Sequence, residues 1–473
     1  MKILLVASEV VPFAKTGGLA DVAGSLPKAL QHFGHDIRII MPRYKMIDPA
    51  KYELKKVADD IYEGKVPGTD IIVYFYENEN YFGSRDDLYQ VKGVDFPDNL
   101  ERFAGFCQAV PRFIKGYHWQ PDIIHLNDWQ TALIAAYLRV NYHDDPFFRR
   151  IAVIYSIHNM GYHGSFPKEK LPLTGLGWDQ FVPEKLEFWG QIALCKAGLV
   201  YADKINTVSK TYAKEIQTEE YGAGLDGLLR FRSNDVSGIV NGLDYEVWNP
   251  ATDQQIIKRY SAATISLKSD NKLELQKQHQ LPQQVDIPVV GMITRLADQK
   301  GFDILATVLD KIMKEKCQLI ILGTGEPKYH QLLEQAKQKY PGHIGVNLTF
   351  NAFIAELIYA GADLFLMPSK YEPCGLGQLI SFKYGTIPVV RQTGGLADTV
   401  HEFDQKSGGG EGFVFADYTG DALYAAVKRG IEAFKNKVAW KKLEQKVMNL
   451  DYSWDASAKE YINLYKLAIA TRA

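Results

Sequence analysis

The hexapeptide Thr-Gly-Gly-Leu-Ala-Asp at residues 16–21 is repeated without change at residues 393–398 of this 473-residue chain. An apolar run typical of a buried strand precedes each copy, Ile3–Ala7 before the first and Ile387–Val390 before the second. A strand, a glycine turn and a helix together present backbone N–H groups and a positive helix end to an anion. The repeat therefore predicts two α/β halves that face each other across a cleft.

Either copy taken alone also fits an ordinary strand-to-helix turn, in which glycine supplies positive φ. Neither copy matches the dinucleotide fingerprint G-x-G-x-x-G or the phosphate loop G-x-x-x-x-G-K-[ST]. The sequence thus disfavours a dehydrogenase or an ATPase.

Length and composition narrow the class of protein. The chain is too long for one hydrophobic core and predicts two or three domains. A net charge of −2 gives no long-range attraction for nucleic acid or an anionic membrane, and no apolar run approaches the roughly 18 residues that span a bilayer. The four cysteines are scattered without a C-x-x-C pair, which favours a reduced, cytoplasmic setting.

Strand-like runs alternate with helical stretches along the chain, and this alternation predicts parallel sheets covered by helices. Ligands then bind beyond the carboxyl ends of the strands. A turn-rich stretch at Trp248–Asp253 marks a domain boundary, which we place at residue 250.

Two cations follow the predicted strand Val289–Thr294 in the second half. Arg295 can bind a diphosphate through its guanidinium fork, and Lys300 can bind it as a point charge. Such cations would stabilise the negative charge that grows as a glycosyl–phosphate bond breaks. A solvated surface pair explains this segment equally well.

A carboxylate and a glycine turn follow the next candidate strand, Leu364–Met367. Glu372 could face a sugar, while Gly375 and Leu376 could offer N–H groups to a phosphate. The alternative for Glu372 is a charge that favours a helix start. For Cys374 we favour a small buried apolar side chain, because no neighbouring cation argues for a thiolate.

Two further strand ends carry histidines, at His125–Gln130 and at Tyr155–Asn159. His158 and Asp128 could meet as ligands of sugar hydroxyls or as acid and base groups, although a lone histidine is more often structural. The sequence contains no D-x-D, the usual carboxylate clamp for a divalent metal on a nucleotide sugar, so we predict no metal site.

Together these motifs closely resemble bacterial glycogen synthases and plant starch synthases, in order and over essentially the whole chain. The matching stretches are Lys15–Leu19, His125–Trp129, Ile157–Asn159, Thr207–Ser209, Tyr212–Glu215, Gly222–Asp226, Asn241–Gly242, Trp248–Pro250, Arg295, Gln299–Gly301, Pro368–Ser369, Glu372–Leu376, Thr393–Asp398 and Ser453–Trp454.

The resemblance implies a GT-B fold of two Rossmann-like domains, residues 1–250 and 251–455, with a last helix at 456–473 that crosses back to the first. It implies metal-independent, cofactor-free transfer of glucose from ADP-glucose to the non-reducing end of an α-1,4-glucan, with retention of configuration. By the same resemblance Glu372, His158, Arg295, Lys300 and Asp128 act in catalysis. The residues expected to bind substrate are Lys15, Gly17, Gly18, Asp21, Asn241, Cys374, Gly375, Leu376, Thr393 and Gly394.

This chain departs from the common bacterial pattern at two positions near its first histidine strand end. Asn127 and Gln130 stand where many relatives have histidines, and Asn127 also occurs in plant-type members. Gln130 cannot titrate, so a proton-transfer role at that position is in doubt.

Two alternatives remain open from the sequence. One is a related transferase that uses UDP-glucose and a small acceptor, as sucrose- or trehalose-type enzymes do. The other is a catalytically silent glucan-binding protein that uses its 27 tyrosines as stacking surfaces. The plastid would replace the cytoplasm as its location if a transit peptide had been removed.

Overall fold

The computed structural model describes residues 1–91, 93–349 and 351–472. The chain forms two compact units, Met1–Gly242 with Trp454–Ala473, and Leu243–Ser453. The division comes before the predicted boundary at residue 250, because the segment after Gly242 bonds within the second unit. The Leu243 amide donates to the Tyr452 carbonyl at 2.7 Å, and the Tyr245 hydroxyl donates to the Leu450 carbonyl at 3.2 Å.

The first unit is built on a nine-stranded sheet with two small additions. Its strands are β1 (Lys2–Val6), β2 (Asp36–Pro42), β3 (Lys55–Ala58), β4 (Ile61–Lys65), β5 (Ile72–Tyr76), β6 (Gln90–Val91), β7 (Val94–Asp95), β8 (Ile123–Asn127), β9 (Ala152–Ile157), β10 (Ser165–Pro167), β11 (Glu187–Phe188), β12 (Gln191–Ala193), β13 (Lys204–Thr207) and β14 (Val236–Gly238). Its helices are α1 (Gly18–His32), α2 (Asn99–Gly116), α3 (Leu133–Arg139), α4 (Leu194–Tyr201), α5 (Lys210–Glu215) and α6 (Asp226–Phe231).

The main sheet has the order β14-β13-β9-β8-β1-β2-β5-β4-β3. Neighbouring strands from β14 to β5 are parallel, and β4 and β3 extend the sheet antiparallel to them. Residues of β8 and β9 are buried throughout, as expected of parallel strands covered on both faces. Because the chain runs outward from β1 and then restarts on its other side at β8, the topological switch point lies between these two strands.

The second unit contains a six-stranded parallel sheet of order β17-β16-β15-β18-β19-β20. Its strands are β15 (Val289–Ile293), β16 (Gln318–Leu322), β17 (Ile344–Asn347), β18 (Leu364–Met367), β19 (Ile387–Arg391) and β20 (Phe413–Phe415). Its helices are α7 (Lys268–Gln278), α8 (Phe302–Met313), α9 (Pro327–Lys339), α10 (Ala352–Gly361), α11 (Gly377–Lys383), α12 (Gly394–Thr399), α13 (Gly420–Phe434) and α14 (Lys437–Met448). The switch point of this sheet lies between β15 and β18.

The last helix, α15 (Trp454–Ala470), packs back on the first unit, as the resemblance implies. The Tyr465 hydroxyl lies 2.9 Å from Nδ1 of His125, and the Tyr461 hydroxyl accepts from the Asn206 amide at 3.1 Å. Burial lowers the pKa of His125 to about 3, so the ring is neutral. His125 is therefore a structural histidine that fixes α15. Across the described ranges, no helix is both long and apolar enough to cross a bilayer.

Candidate active site

The predicted cations of the second unit follow β15, and the predicted carboxylate follows β18, at the two strands that flank the switch point. Lys300 Nζ donates to Glu372 Oε2 at 2.6 Å. The Ser369 hydroxyl donates to the same oxygen at 2.9 Å, and Glu372 is only 8% exposed. The side chain of Arg295 is exposed and forms no ion pair with any residue that the structure describes. An anion at this site can therefore bind the free guanidinium of Arg295 and the ammonium of Lys300, which is already paired with Glu372.

The second hexapeptide packs directly on the backbone that carries Glu372. Gly394 has a φ of 44°, and a Cβ there would lie 1.9 Å from the Glu372 carbonyl oxygen. A Cβ at Gly395 would lie 2.1 Å from the Cys374 carbonyl oxygen. The Gly395 amide donates to the carbonyls of Glu372 and Pro373 at 3.2 and 3.1 Å. These glycines therefore allow close packing that fixes the Glu372 segment.

The remaining predicted residues of this unit sit on the same two turns. Gly375 has a φ of 76°, and Leu376 precedes the first turn of α11. Thr393 precedes α12, and its side chain is buried. Cys374 is also buried, as the sequence argument favours for a small apolar side chain. The Gln378 amide donates to the Cys374 and Gly375 carbonyls at 3.1 and 2.9 Å, which ties α11 to the turn.

The first hexapeptide is held in a different way, by a buried carboxylate that follows β1. Glu9 Oε2 accepts from the Thr16 amide and, at 3.1 Å, from the Gly17 amide. Its other oxygen accepts from the Thr16 hydroxyl at 2.6 Å and from the Tyr89 hydroxyl at 2.8 Å. Two amides that we expected to face an anion are thus already satisfied by Glu9.

Lys15 and Asp21 lie at the two ends of this loop and form an ion pair of 2.7 Å. Burial raises the pKa of Asp21, against the opposing effect of the Lys15 ammonium. A Cβ at Gly17 or Gly18 would have no described atom within 4 Å. The glycines of the first copy thus border open space, whereas those of the second copy are packed against backbone.

This contrast predicts that a glycine-to-alanine substitution has very different effects on stability at equivalent positions of the two copies. We expect Gly395→Ala to lower the free energy of unfolding by about 3 kcal/mol or more, because its methyl group would overlap the Cys374 backbone. Gly18→Ala should change it by less than about 1 kcal/mol, since alanine suits the start of α1. Urea denaturation of the two variants measures both. Equal losses would contradict the packing difference.

Asp128 and His158 of the first unit are in contact, but the contact joins the Asp128 side chain to the His158 backbone. Asp128 Oδ1 accepts from the His158 amide at 2.8 Å, while His158 Nε2 lies 2.9 Å from Asn127 Oδ1. Asp128 has a φ of 55°, which aspartate tolerates better than most residues. Burial raises the pKa of Asp128 to about 7 and lowers that of His158 to about 4. The Asp128 carboxyl group thus contacts the backbone of His158, while the His158 ring contacts the neighbouring Asn127.

The raised pKa of Asp128 makes a contribution to the free energy of unfolding that decreases as the pH rises. Since the folded pKa of about 7 exceeds the usual 3.8, the folded state holds an extra proton between these values. We expect Asp128→Asn, which keeps the backbone acceptor, to gain stability relative to wild type by up to about 4 kcal/mol between pH 4 and 8. Urea titrations at several pH values test this. Parallel curves for the two proteins would contradict it.

Besides Asn206, two amides of the first unit have buried oxygens that lack a hydrogen-bond partner within the described part of the chain. These are Asn241 Oδ1, at a predicted substrate-binding residue, and Gln130 Oε1, where relatives carry histidine. A buried polar atom without a partner is costly unless a ligand or water completes it. Asn241 is thus suited to receive a ligand hydroxyl.

Sequence reasoning missed three residues that hold the predicted ones in place, namely Glu9, Ser369 and Gln378. Glu9 carried a usable signal, because this acidic residue follows the apolar run Ile3–Ala7 after a single serine, at the carboxyl edge of a parallel sheet. Ser369 lies in the matching stretch Pro368–Ser369 but was assigned no role, and Gln378 gave no signal beyond its place near Glu372. Within residues 1–91, 93–349 and 351–472, no three histidine, cysteine or acidic side chains are grouped as metal ligands.

Comparison with known families covers both units. A model described as "Starch synthase catalytic domain" matches residues 2–231, and one described as "Glycosyl transferases group 1" matches residues 274–446. The glycogen synthase of Geotalea uraniireducens is 48% identical, with 100% of each chain covered. The glycogen synthase of Thermotoga maritima is 47% identical, with 99% of each chain covered.

Among solved structures, the catalytic domain of starch synthase IV from Arabidopsis thaliana, bound to ADP and acarbose, matches with a TM-score of 0.89 and 31% identity. The match covers 99% of both chains. A sucrose-phosphate synthase from Thermosynechococcus elongatus matches with a TM-score of 0.61 and 17% identity over 99% of both chains, a likeness of fold alone.

Proposed function

The chain belongs to the family of bacterial glycogen synthases and plant starch synthases, and we propose that it extends an α-1,4-glucan with glucose from ADP-glucose. Membership makes it a glycosyltransferase that takes a nucleotide-sugar donor and a glucan acceptor. The relative whose structure holds ADP and acarbose supports ADP as the nucleotide and a glucan-like oligosaccharide as the acceptor.

The pairing of Lys300 with Glu372 is the observation that carries this proposal. An ammonium has three N–H donors and Glu372 occupies one, so Lys300 can also bind a phosphate oxygen. Arg295 adds a second, exposed cation after the same strand. A carboxylate next to the cations suits a sugar whose anomeric carbon becomes positive while its diphosphate becomes negative. Both charges of the transition state then have a partner of opposite sign.

The reaction breaks the bond between the anomeric carbon and the diphosphate oxygen and forms a bond from that carbon to an acceptor hydroxyl oxygen. In our proposal the hydroxyl proton passes to the departing phosphate, ADP leaves, and both bonds lie on one face of the sugar, which retains the configuration. No protein nucleophile is required. Lys15, Gly18, Asp21, His158 and Asn241 are proposed to bind the donor, and Asp128 to serve the acceptor side.

Incorporation of labelled glucose into glycogen, measured in parallel with ADP-glucose and UDP-glucose, tests the proposal. We expect strong incorporation from ADP-glucose. Incorporation only from UDP-glucose would overturn the donor and favour the alternative transferase. No incorporation from either donor by a folded protein that binds glycogen would favour a silent glucan-binding protein.

We propose that the transfer needs no divalent metal, because the sequence lacks D-x-D and supplies Arg295 and Lys300 as cations for the diphosphate. The initial rate with ADP-glucose should therefore stay within about twofold when EDTA is added in large excess. Strong inhibition by EDTA that added Mg²⁺ restores would contradict this proposal.

A further inference from the structure

A buried carboxylate after β1 lies at the centre of a hydrogen-bond network in the first unit. Glu9 is 4% exposed and accepts from two backbone amides, those of Thr16 and Gly17, and from two hydroxyls, those of Thr16 and Tyr89. An ionised carboxylate has only acceptors, so Glu9 satisfies all of these donors without offering a hydrogen of its own. The network thus joins the first hexapeptide to a second loop, the one that carries Tyr89.

The segment Lys15–Gly18, which Glu9 holds, is itself exposed. The turn before it closes through backbone bonds, since the Val10 amide donates to the Ala14 carbonyl at 3.1 Å and the Ala14 amide donates to the Val10 carbonyl at 3.0 Å. Beyond this turn, the two amides at the centre of the segment donate to Glu9. Glycine loses more conformational freedom than any other residue when it is ordered. An exposed loop with two glycines therefore depends on the Glu9 carboxylate for its conformation.

A fully buried arginine holds the other side of the network. Arg102 is 0% exposed and donates to the Leu88 carbonyl at 2.9 Å and to Asn99 Oδ1 at 2.6 Å. The Asn99 side-chain amide donates in turn to the Tyr89 carbonyl at 3.0 Å. Because a buried cation is stable only when its donors are satisfied, these contacts fix the backbone around Tyr89. The Tyr89 hydroxyl thus reaches Glu9 from a fixed position.

We propose that Glu9 is a positioning residue for the transfer reaction, which holds the Lys15–Gly18 loop in the conformation that receives the nucleotide-sugar donor. This inference rests on the proposed function, in which Lys15, Gly18 and Asp21 bind the donor. Lys15 and Asp21 pair with each other at 2.7 Å, so a displaced loop would disturb both. Glu9 occupies the amides that an anion would otherwise contact, and it acts on the donor only through the loop.

The role of Glu9 follows from its hydrogen bonds and not from its charge. Glutamine has the same shape, and its carbonyl oxygen can accept from both backbone amides. Its NH₂ group would then face the hydroxyls of Thr16 and Tyr89, which can accept as well as donate. Glu9→Gln should therefore keep the loop in place, whereas Glu9→Ala would leave all of these donors without their acceptor.

Steady-state kinetics of the full-length protein with ADP-glucose varied test the proposal. We expect Glu9→Ala to raise the KM for ADP-glucose by about tenfold or more and to lower kcat, because ordering the loop would then oppose donor binding. Glu9→Gln should raise this KM by less than about threefold. In native gels that contain glycogen, without nucleotide, glycogen should retard both variants as much as wild type, since the loop is proposed to serve the donor.

Trypsin gives a second readout that does not depend on turnover, because it cleaves after lysine and Lys15 lies in the loop. The rate at which native protein yields the fragment 1–15 measures how often the loop leaves Glu9. We expect this rate to rise about tenfold or more in Glu9→Ala and to stay close to wild type in Glu9→Gln.

Asp203→Asn is the matched control for both measurements. The Asp203 side chain is also a buried carboxylate, 5% exposed, and it accepts from a backbone amide, that of Val153, at 2.7 Å. It pairs with Arg139 and Arg472 and does not contact the loop. This variant should lose stability to urea, while its KM for ADP-glucose and its cleavage after Lys15 should match wild type.

Equal KM values and equal cleavage rates for Glu9→Ala and wild type would overturn the proposal. A Glu9→Gln enzyme as impaired as Glu9→Ala would also overturn it, because the charge of Glu9 would then be what the reaction needs. If Glu9→Ala does not fold, Tyr89→Phe removes one contact of Glu9 and should cause the same changes to a smaller extent; wild-type values would overturn the proposal. Failure of the proposed function looks different: neither donor would give incorporation, while cleavage after Lys15 would still depend on Glu9.

Discussion

Replacing Lys300 by alanine is expected to lower kcat with ADP-glucose by about a hundredfold to a thousandfold. The ammonium is the cation that contacts Glu372, at 2.6 Å, and it is proposed to stabilise the charge on the departing diphosphate. That charge is largest in the transition state, so kcat should fall more than the affinity for the donor changes. Binding of glycogen without nucleotide should be unchanged. Steady-state kinetics with both substrates varied, together with glycogen retardation, measure these effects.

Lys311→Ala provides a matched control in the same unit. Lys311 also forms an ion pair of 2.6 Å, with Asp421, but both side chains are exposed, and such pairs contribute little to stability. We expect wild-type kinetics from this variant. A Lys300→Ala enzyme with kcat close to wild type would contradict the proposed role of Lys300.

Much of the fold follows from local features of the sequence. Parallel strands buried on both faces leave continuous apolar runs such as Ile387–Val390, and ligand-binding residues follow them at the carboxyl edge. This is why Arg295 and Glu372 could be identified before their strands were located in a sheet. The antiparallel β3–β4 pair and the β10-β12-β11 sheet were missed, because short strands of mixed exposure carry no such run.

The repeated hexapeptide shows where local sequence stops being informative. Identical residues border open space in one copy and pack on the Glu372 backbone in the other, because the surrounding segments differ. The amides of the first copy are satisfied by Glu9, which lies outside the repeat. His125 is a similar case, since its partner Tyr465 is 340 positions away in sequence. Such long-range contacts cannot be inferred from periodicity or from motif spacing.

Replacing Glu372 by glutamine should lower kcat by a similar factor, about a hundredfold or more. The proposed role of the carboxylate is to face the positive charge that develops on the glucose ring, and a neutral amide cannot do this. The fold should survive, because glutamine can still accept from the Ser369 hydroxyl, which donates to Glu372 at 2.9 Å. Loss of the ion pair with partly buried Lys300 should lower the free energy of unfolding by about 1–3 kcal/mol. Urea denaturation measures the free energy of unfolding, and steady-state kinetics measure kcat.

The double variant Lys300→Ala/Glu372→Gln distinguishes a coupled pair from two independent residues. Each side chain orients the other before the donor binds. Once one of them has been removed, removing the other should therefore lower kcat much less than it does in the wild-type protein. We expect kcat of the double variant to lie within about tenfold of the kcat of the less active single variant. If the decrease in kcat of the double variant instead equals the product of the two single decreases, Lys300 and Glu372 act separately on the diphosphate and on the sugar. The ion pair would then only hold the two groups in place until the donor binds.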